Sequence, residues 1–242
     1  MRKRGIIYGA LAAISIVAVI SVTFFVKASS SKYGTIEGKI ADELSGDPVR
    51  GVRIVVDGRS TILYQTTSYK LTKIPPGEYL IQVSPPSGWV KFTKKIKINP
   101  GKNRLDIPLK GDKIPDLKEI ICFSESKKEG IIIEVRFVDS KGIGMTEYPR
   151  LPIKIEVTLW ERIGEEENYK KGKKLFEGPV KDFWDSQSYL EKNKGILAWD
   201  KIPGIKFEDR KMGIMEVRVH LKQGNFKDII DDVKLFPEKE EK

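Results

Sequence analysis

Few residues in this 242-residue chain could carry covalent or metal chemistry. His220 is the only histidine and Cys122 the only cysteine. One imidazole can act as a general base, but it cannot assemble a zinc site from several nitrogen and sulfur ligands. No Gly-x-Ser-x-Gly elbow exists to set a serine against His220. The remaining nucleophilic pair would be Cys122 with His220. Cys122, in the apolar segment Glu119-Ile120-Ile121-Cys122-Phe123, reads instead as a buried strand residue, where a thiol is inert. His220 alternates outward beside Arg218. Asp182, Asp185, Asp228, Asp231 and Asp232 are hard donors suited to Ca²⁺, yet they lack EF-hand or repeat spacing and read as solvated acids. Carboxylates are numerous enough for glycosidase chemistry, but the expected short loops leave little cleft for it. These residues predict no enzyme, no metal and no cofactor.

Binding chemistry has two candidate surfaces. Trp160, Trp184, Tyr189 and Trp199 could form an aromatic platform that stacks sugar rings, or could pack the rim of a core. Lys91, Lys94, Lys95 and Lys97, close to Trp89 and Phe92, could meet anionic lipid headgroups or acidic envelope polymers. The alternative is an ordinary strand, with Ile96 and Ile98 inward and Lys95 and Lys97 solvated, the lysines guarding a sheet edge against other chains.

The elements that must hold these residues are strands. Val52, Ile54 and Val56 alternate with Arg53 and Val55; Tyr79, Ile81 and Val83 with Leu80 and Gln82; Leu105, Ile107 and Leu109 with Asp106 and Pro108. Pro108 lacks an N–H and predicts a sheet edge. Turn signals separate them: Gly46-Asp47-Pro48, Asp57-Gly58, Pro75-Pro76-Gly77, Pro85-Pro86-Ser87-Gly88 and Asn99-Pro100-Gly101. Pro76 at the second position of a type II turn would leave Gly77 with a positive φ. Residues 33–112 thus predict a small β-sandwich. Residues 113–242, after Pro115, repeat the alternation in Gly130–Val138, Leu151–Arg162 and Gly213–Leu221, with a shorter pattern in Phe226–Phe236. They predict a second sandwich, immunoglobulin-like or jelly-roll-like. The fold class expected is all-β: two tandem antiparallel β-sandwiches after an N-terminal transmembrane helix.

The segments Gly38–Val56, Tyr69–Ser84, Gly88-Trp89 and Ile98–Leu109 resemble the carboxypeptidase regulatory-like domain. Gly51 matches the glycine before that family's second strand, and Pro76-Gly77-x-Tyr79 matches its Pro-Gly turn. The resemblance spans residues 34–112. It implies a transthyretin-like Greek-key sandwich of about seven strands, a non-catalytic accessory module that acts as spacer or binding unit. Gln65–Leu71 departs from the family's Thr-Asp-x-x-Gly turn, lacking both the Asp and the Gly.

The run Gly5–Val26 has no charged residue and follows Arg2, Lys3 and Arg4. As a helix it would reach roughly 33 Å, enough to cross a bilayer core. Residues 1–32 read as a cytoplasmic stub, a signal-anchor helix and a short polar linker, with the remainder outside. Two alternatives stay open: cleavage near Val26-Lys27-Ala28, or a prepilin-like cut beside Lys3-Arg4-Gly5 that frees a filament-forming subunit. Of the +10 formal charge, five cations flank this run; the rest carries 39 basic and 34 acidic residues, a net +5. Nucleic acid is a poor partner for an exported chain so balanced. The single cysteine excludes an internal disulfide. Abundant Lys and Glu beside four Gln and five Asn follow the pattern of thermophile, notably archaeal, proteins. The sequence therefore predicts a membrane-anchored envelope protein at the cell surface with a structural or binding role. Its partners would be the lipid bilayer through residues 5–26, and an envelope protein or polysaccharide outside it.

Overall fold

The structure, a computed structural model, describes residues 32–164 and 168–238. The run Gly5–Val26 and the acidic Glu165-Glu166-Glu167 lie outside the described residues. Among the described residues the fold is all-β, with two 3₁₀ turns at Trp199–Lys201 and Phe207–Asp209.

Eight strands come first: β1 (Gly34–Asp42), β2 (Val52–Val56), β3 (Arg59–Leu63), β4 (Ser68–Ile74), β5 (Gly77–Ser84), β6 (Phe92–Ile98), β7 (Gly101–Arg104) and β8 (Ile107–Leu109). They form two sheets. One has the order β3-β2-β5-β6; in the other, β1 lies between β4 on one side and β7 and β8 on the other. Their inward residues make a single core, with Val52, Ile54, Val56, Ile81, Val83 and Ile98 against Ile36, Ile40, Leu71, Ile74, Ile107 and Leu109. Asp57 and Gly58 both take positive φ, +51° and +69°, and close β2 onto β3 as a two-residue type I′ hairpin. Pro108 sits in an edge strand, as its missing N–H requires.

Two expectations are corrected here. The pairing is not wholly antiparallel: β7 and β8 run parallel to β1. The chain passes through β5 and β6 in the opposite sheet before returning, so it comes back to β1 in the same direction. Nor does Gly77 have a positive φ. The left-handed residue nearby is Lys73, at φ +60°. It lies in a bulge of β4, where Gly34 and Ile36 of β1 pair with Ile74 and Leu71. The chain has turned before it reaches Pro75, and Gly77 enters β5 with ordinary backbone. Tyr79 then closes this corner, its hydroxyl donating to the Pro75 carbonyl at 2.9 Å.

Eight further strands follow: β9 (Leu117–Ser126), β10 (Gly130–Asp139), β11 (Lys154–Ile163), β12 (Lys170–Pro179), β13 (Lys181–Trp184), β14 (Asn193–Ala198), β15 (Met212–Leu221) and β16 (Gly224–Lys234). The sheet β13-β14-β10-β9 faces the sheet β12-β11-β15-β16. Ile131, Ile133, Val135 and Phe137 meet Ile155, Val157, Leu159, Val217 and Val219 in a second core. On one flank the chain itself joins the sheets: β12 passes into β13 through Val180, whose N–H donates to Ile155 O at 3.0 Å. On the other flank β9 and β16 meet through side chains. Asp228 accepts the Cys122 N–H at 2.6 Å, and the Ser126 hydroxyl donates to Lys234 O at 2.5 Å. Two backbone groups at that edge, the Cys122 N–H and the Lys234 carbonyl, are thereby satisfied without a ladder.

Candidate functional site

A buried polar cluster lies where residues of the first core meet those of the second. Asp42 ends β1 and is buried. Its Oδ1 accepts the N–H groups of Leu44 and Ser45 at 3.0 and 2.9 Å and the Ser45 hydroxyl at 3.2 Å. Its Oδ2 reaches outward, accepting Trp89 Nε1–H at 2.9 Å and the Arg150 N–H at 3.2 Å. Arg150 returns a bond, its guanidinium donating to Leu44 O at 3.2 Å. Asp47 repeats the device: its Oδ2 accepts Trp184 Nε1–H at 2.9 Å.

Packing completes this joint. Trp184 stands edge-on to Tyr148, and Tyr148 edge-on to Phe137 of the second core, with centroids 5.8 and 5.1 Å apart. Gly111 pairs with Trp89, and a Cβ there would come within 2.7 Å of Pro149 Cβ and Leu151 Cδ2. Gln223 clamps the next residues from both sides, accepting the Ile114 N–H at 2.7 Å and donating to Ile114 O at 3.0 Å. Arg50 and Glu147 add an exposed ion pair at 3.6 Å. None of this was visible in sequence beyond the Asp42-x-x-Ser45 spacing of an Asx-type turn, because Asp42 and Arg150, and Asp47 and Trp184, lie more than a hundred residues apart.

The four aromatic residues with sugar-stacking potential are not brought together. Trp184 belongs to the joint. Trp199 donates Nε1–H to Lys127 O at 2.9 Å and packs edge-on against Phe207. Trp184 is paired with Asn193 at the start of β14 and Trp199 follows its end, so the two indoles stand about 20 Å apart along the strand. Trp160 faces outward on the other sheet, with Lys171 Nζ 3.8 Å from its ring centroid. Tyr189 is exposed in the loop between β13 and β14. The separate elements that carry these rings rule out a common plane.

His220 faces outward on β15. Its Nδ1 lies 2.9 Å from Asn225 Oδ1 and its Nε2 2.9 Å from Glu156 Oε2. Glu156 also pairs with Lys154 at 2.5 Å; Lys154 first and His220 second hold its carboxyl below the usual range. Cys122 lies inside, on the other sheet, and burial, reinforced by Asp228, pushes its thiol up. The two cannot act as a pair. The aspartates are engaged separately: Asp185 with Lys194 at 3.0 Å, Asp228 with the Cys122 N–H, Asp231 with the Tyr169 hydroxyl at 2.5 Å. Among the described residues no three His, Cys, Asp or Glu side chains gather to hold a metal.

Lys91, Lys94, Lys95 and Lys97 are all exposed on or beside β6, the edge of its sheet. Lys95 and Lys97 take the solvent face. Lys94 falls in the inward register with Ile96 and Ile98, opposite Ile81, at the open rim. No helix among the described residues is long and apolar enough to cross a membrane.

No family model matches this chain, and no curated protein matches it. Solved structures give distant likenesses. A DUF3823 family protein from Bacteroides ovatus is 15% identical with a TM-score of 0.28, over 84% of this chain and 97% of that one. A proposed carbohydrate-binding protein from Bacteroides uniformis is 12% identical at 0.29, over 81% and 98%. A streptococcal ancillary pilin is 8% identical at 0.29, over 85% and 61%. At these scores the likenesses carry no argument about what the chain does.

Proposed function

We propose that this chain is a membrane-anchored, outward-facing envelope protein with a non-catalytic structural or binding role at the cell surface. Residues 33–112 and 113–242 serve as two sandwich modules, the first of the carboxypeptidase regulatory-like kind. The observation that carries the reading is the use made of the reactive side chains. Asp42 and Asp47 of the first β body hold Arg150 and Trp184 of the second, with Trp89 bracing Asp42 from its own side. His220 ties two neighbouring strands, and Asp228 joins the two facing sheets at their flank. Side chains engaged in this way hold strands and sheets together, which supports a structural or binding role. Gly51, with φ +72° directly before β2, supports the family resemblance. The apolar run Gly5–Val26 supports the anchor.

Carbonate-washed native membranes test this reading. The protein should stay in the pellet with an intact mass that includes residues 1–26, and protease added to whole cells should degrade residues 33–242. Recovery in the soluble fraction, or a mass beginning near Ser29 or Ile6, would overturn the anchor.

A further inference from the structure

The first sandwich has two poles, and they differ in charge. Asp42 and the joint occupy one. β1 spans nine residues, so its other end, Gly34, lies roughly 26 Å away. Three turns converge there. Gly34 pairs with Ile74 of β4 and with Gly101 of β7, and a Cβ on Gly34 would touch Ile98 and Asn99 at the end of β6. The Gly101 N–H donates to Tyr33 O at 3.1 Å, Lys102 pairs with Thr35, and Lys97 pairs with Glu78 beside Gly77. This end therefore displays Lys73 on its left-handed bulge, Lys97 and Lys102, all exposed, together with Lys32.

None of these four lysines lies in an ion pair among the described residues, whereas Lys70, on the same strand as Lys73, pairs with Glu37 at 3.7 Å. Glu78 is the acid at this pole, and it does not come within ion-pair distance of Lys97. The pole is also where the chain enters. Eight residue steps separate Val26 from Gly34, a reach of about 28 Å fully extended. Near an anionic surface each lysine gains attraction that fades within a Debye length of about 8–10 Å. Lys91 sits at the far end of β6, roughly 20 Å from Lys97, beyond that range.

We propose that Lys32, Lys73, Lys97 and Lys102 form a docking pole that seats the first sandwich on the phosphate headgroups of an anionic bilayer. The proposal rests on the reading of residues 5–26 as the anchor. Of the lysines singled out from sequence, it selects Lys97 and sets Lys91 aside.

The test uses the whole chain with Pro100→Cys carrying an environment-sensitive fluorophore, since Cys122 is buried and unreactive. The protein is mixed with phosphatidylcholine vesicles, with or without phosphatidylglycerol, that contain headgroup-borne quenchers. Quenching is expected only with phosphatidylglycerol and should vanish near 1 M salt, where the Debye length is about 3 Å. The triple change Lys73→Glu, Lys97→Glu and Lys102→Glu should abolish it, since losing each cation weakens the contact about fivefold and each new carboxylate adds repulsion. The control Lys91→Glu with Lys94→Glu should leave it intact. Carbonate-resistant flotation of the same sample reports the anchor independently. Loss of flotation with quenching retained would sink the anchor and keep the pole. Equal quenching in both lipids, equal loss in the control pair, or no quenching would overturn the pole. Lysine-dependent binding of soluble polyglutamate without quenching on vesicles would overturn it too, in favour of a polymer site.

Discussion

Gly51 and Gly77 separate two reasons for a glycine. At Gly51 the backbone has φ +72° and a Cβ would meet nothing within 4 Å, so the whole penalty of a side chain is conformational. At Gly77 the backbone is ordinary, and an added Cβ would press on the Tyr79 ring at 3.3–3.4 Å, which a small shift relieves. Gly51→Ala is therefore expected to cost about 1–2 kcal/mol, and Gly77→Ala less. Chemical denaturation of the two variants checks the order; a larger loss at Gly77 would show that the corner closed by Tyr79 is the stricter one. Tyr69 illustrates the same economy of polar groups in the first core. Burial, then Asp106, raises its hydroxyl to about 12, and the group donates to Leu105 O at 2.8 Å.

At the scale of elements, strands with one fully buried face were legible in sequence. Val52-Ile54-Val56, Ile155-Val157-Leu159 and Val217-Val219 announce themselves because their inward positions are apolar without exception. β3, β4 and β7 escaped notice, and β12 showed only as the irregular stretch Lys173–Val180. Each is an edge strand with charged or polar residues at most positions, and pairing rather than burial defines it. The parallel return of β7 and β8 was also hidden, since alternation fixes the faces of a strand and not its neighbour. Outer faces of the second half carry lateral ion pairs: Glu156 with Lys154, Glu177 with Lys174, Asp185 with Lys194. Lys154, Lys174 and Lys194 respectively hold these carboxyls below their usual range. A carboxylate whose folded value is lowered stabilises the fold fully above the ordinary range and ceases to do so as pH falls through the lowered one. The melting temperature should accordingly hold above about pH 5 and drop progressively toward pH 2. High salt should shrink the drop, because the pairs are exposed. A midpoint that stays level down to pH 2 would mean these pairs contribute nothing.

For the molecule as a whole, the candidate site was the least legible feature. Indoles that suggested a sugar platform are committed elsewhere, Trp184 to Asp47 and Trp199 to Lys127. Asp47 passed as a turn residue and Asp42 drew no notice, because a joint assembled from residues 42–47, 89, 111, 148–151 and 184 leaves no local pattern. Those contacts are the account's central claim: polar side chains that could have formed a site instead lock two β bodies into one. Differential scanning calorimetry of the whole chain measures this most directly. The wild type should melt in one cooperative transition. Asp42→Ala combined with Trp184→Phe removes the acceptor for Trp89 and Arg150 and the indole donor to Asp47, at a cost of about 3 kcal/mol or more. In that variant the trace should split into two transitions, the first sandwich melting apart from the second. Two transitions already present in the wild type, or a single unchanged one in the variant, would contradict the claim.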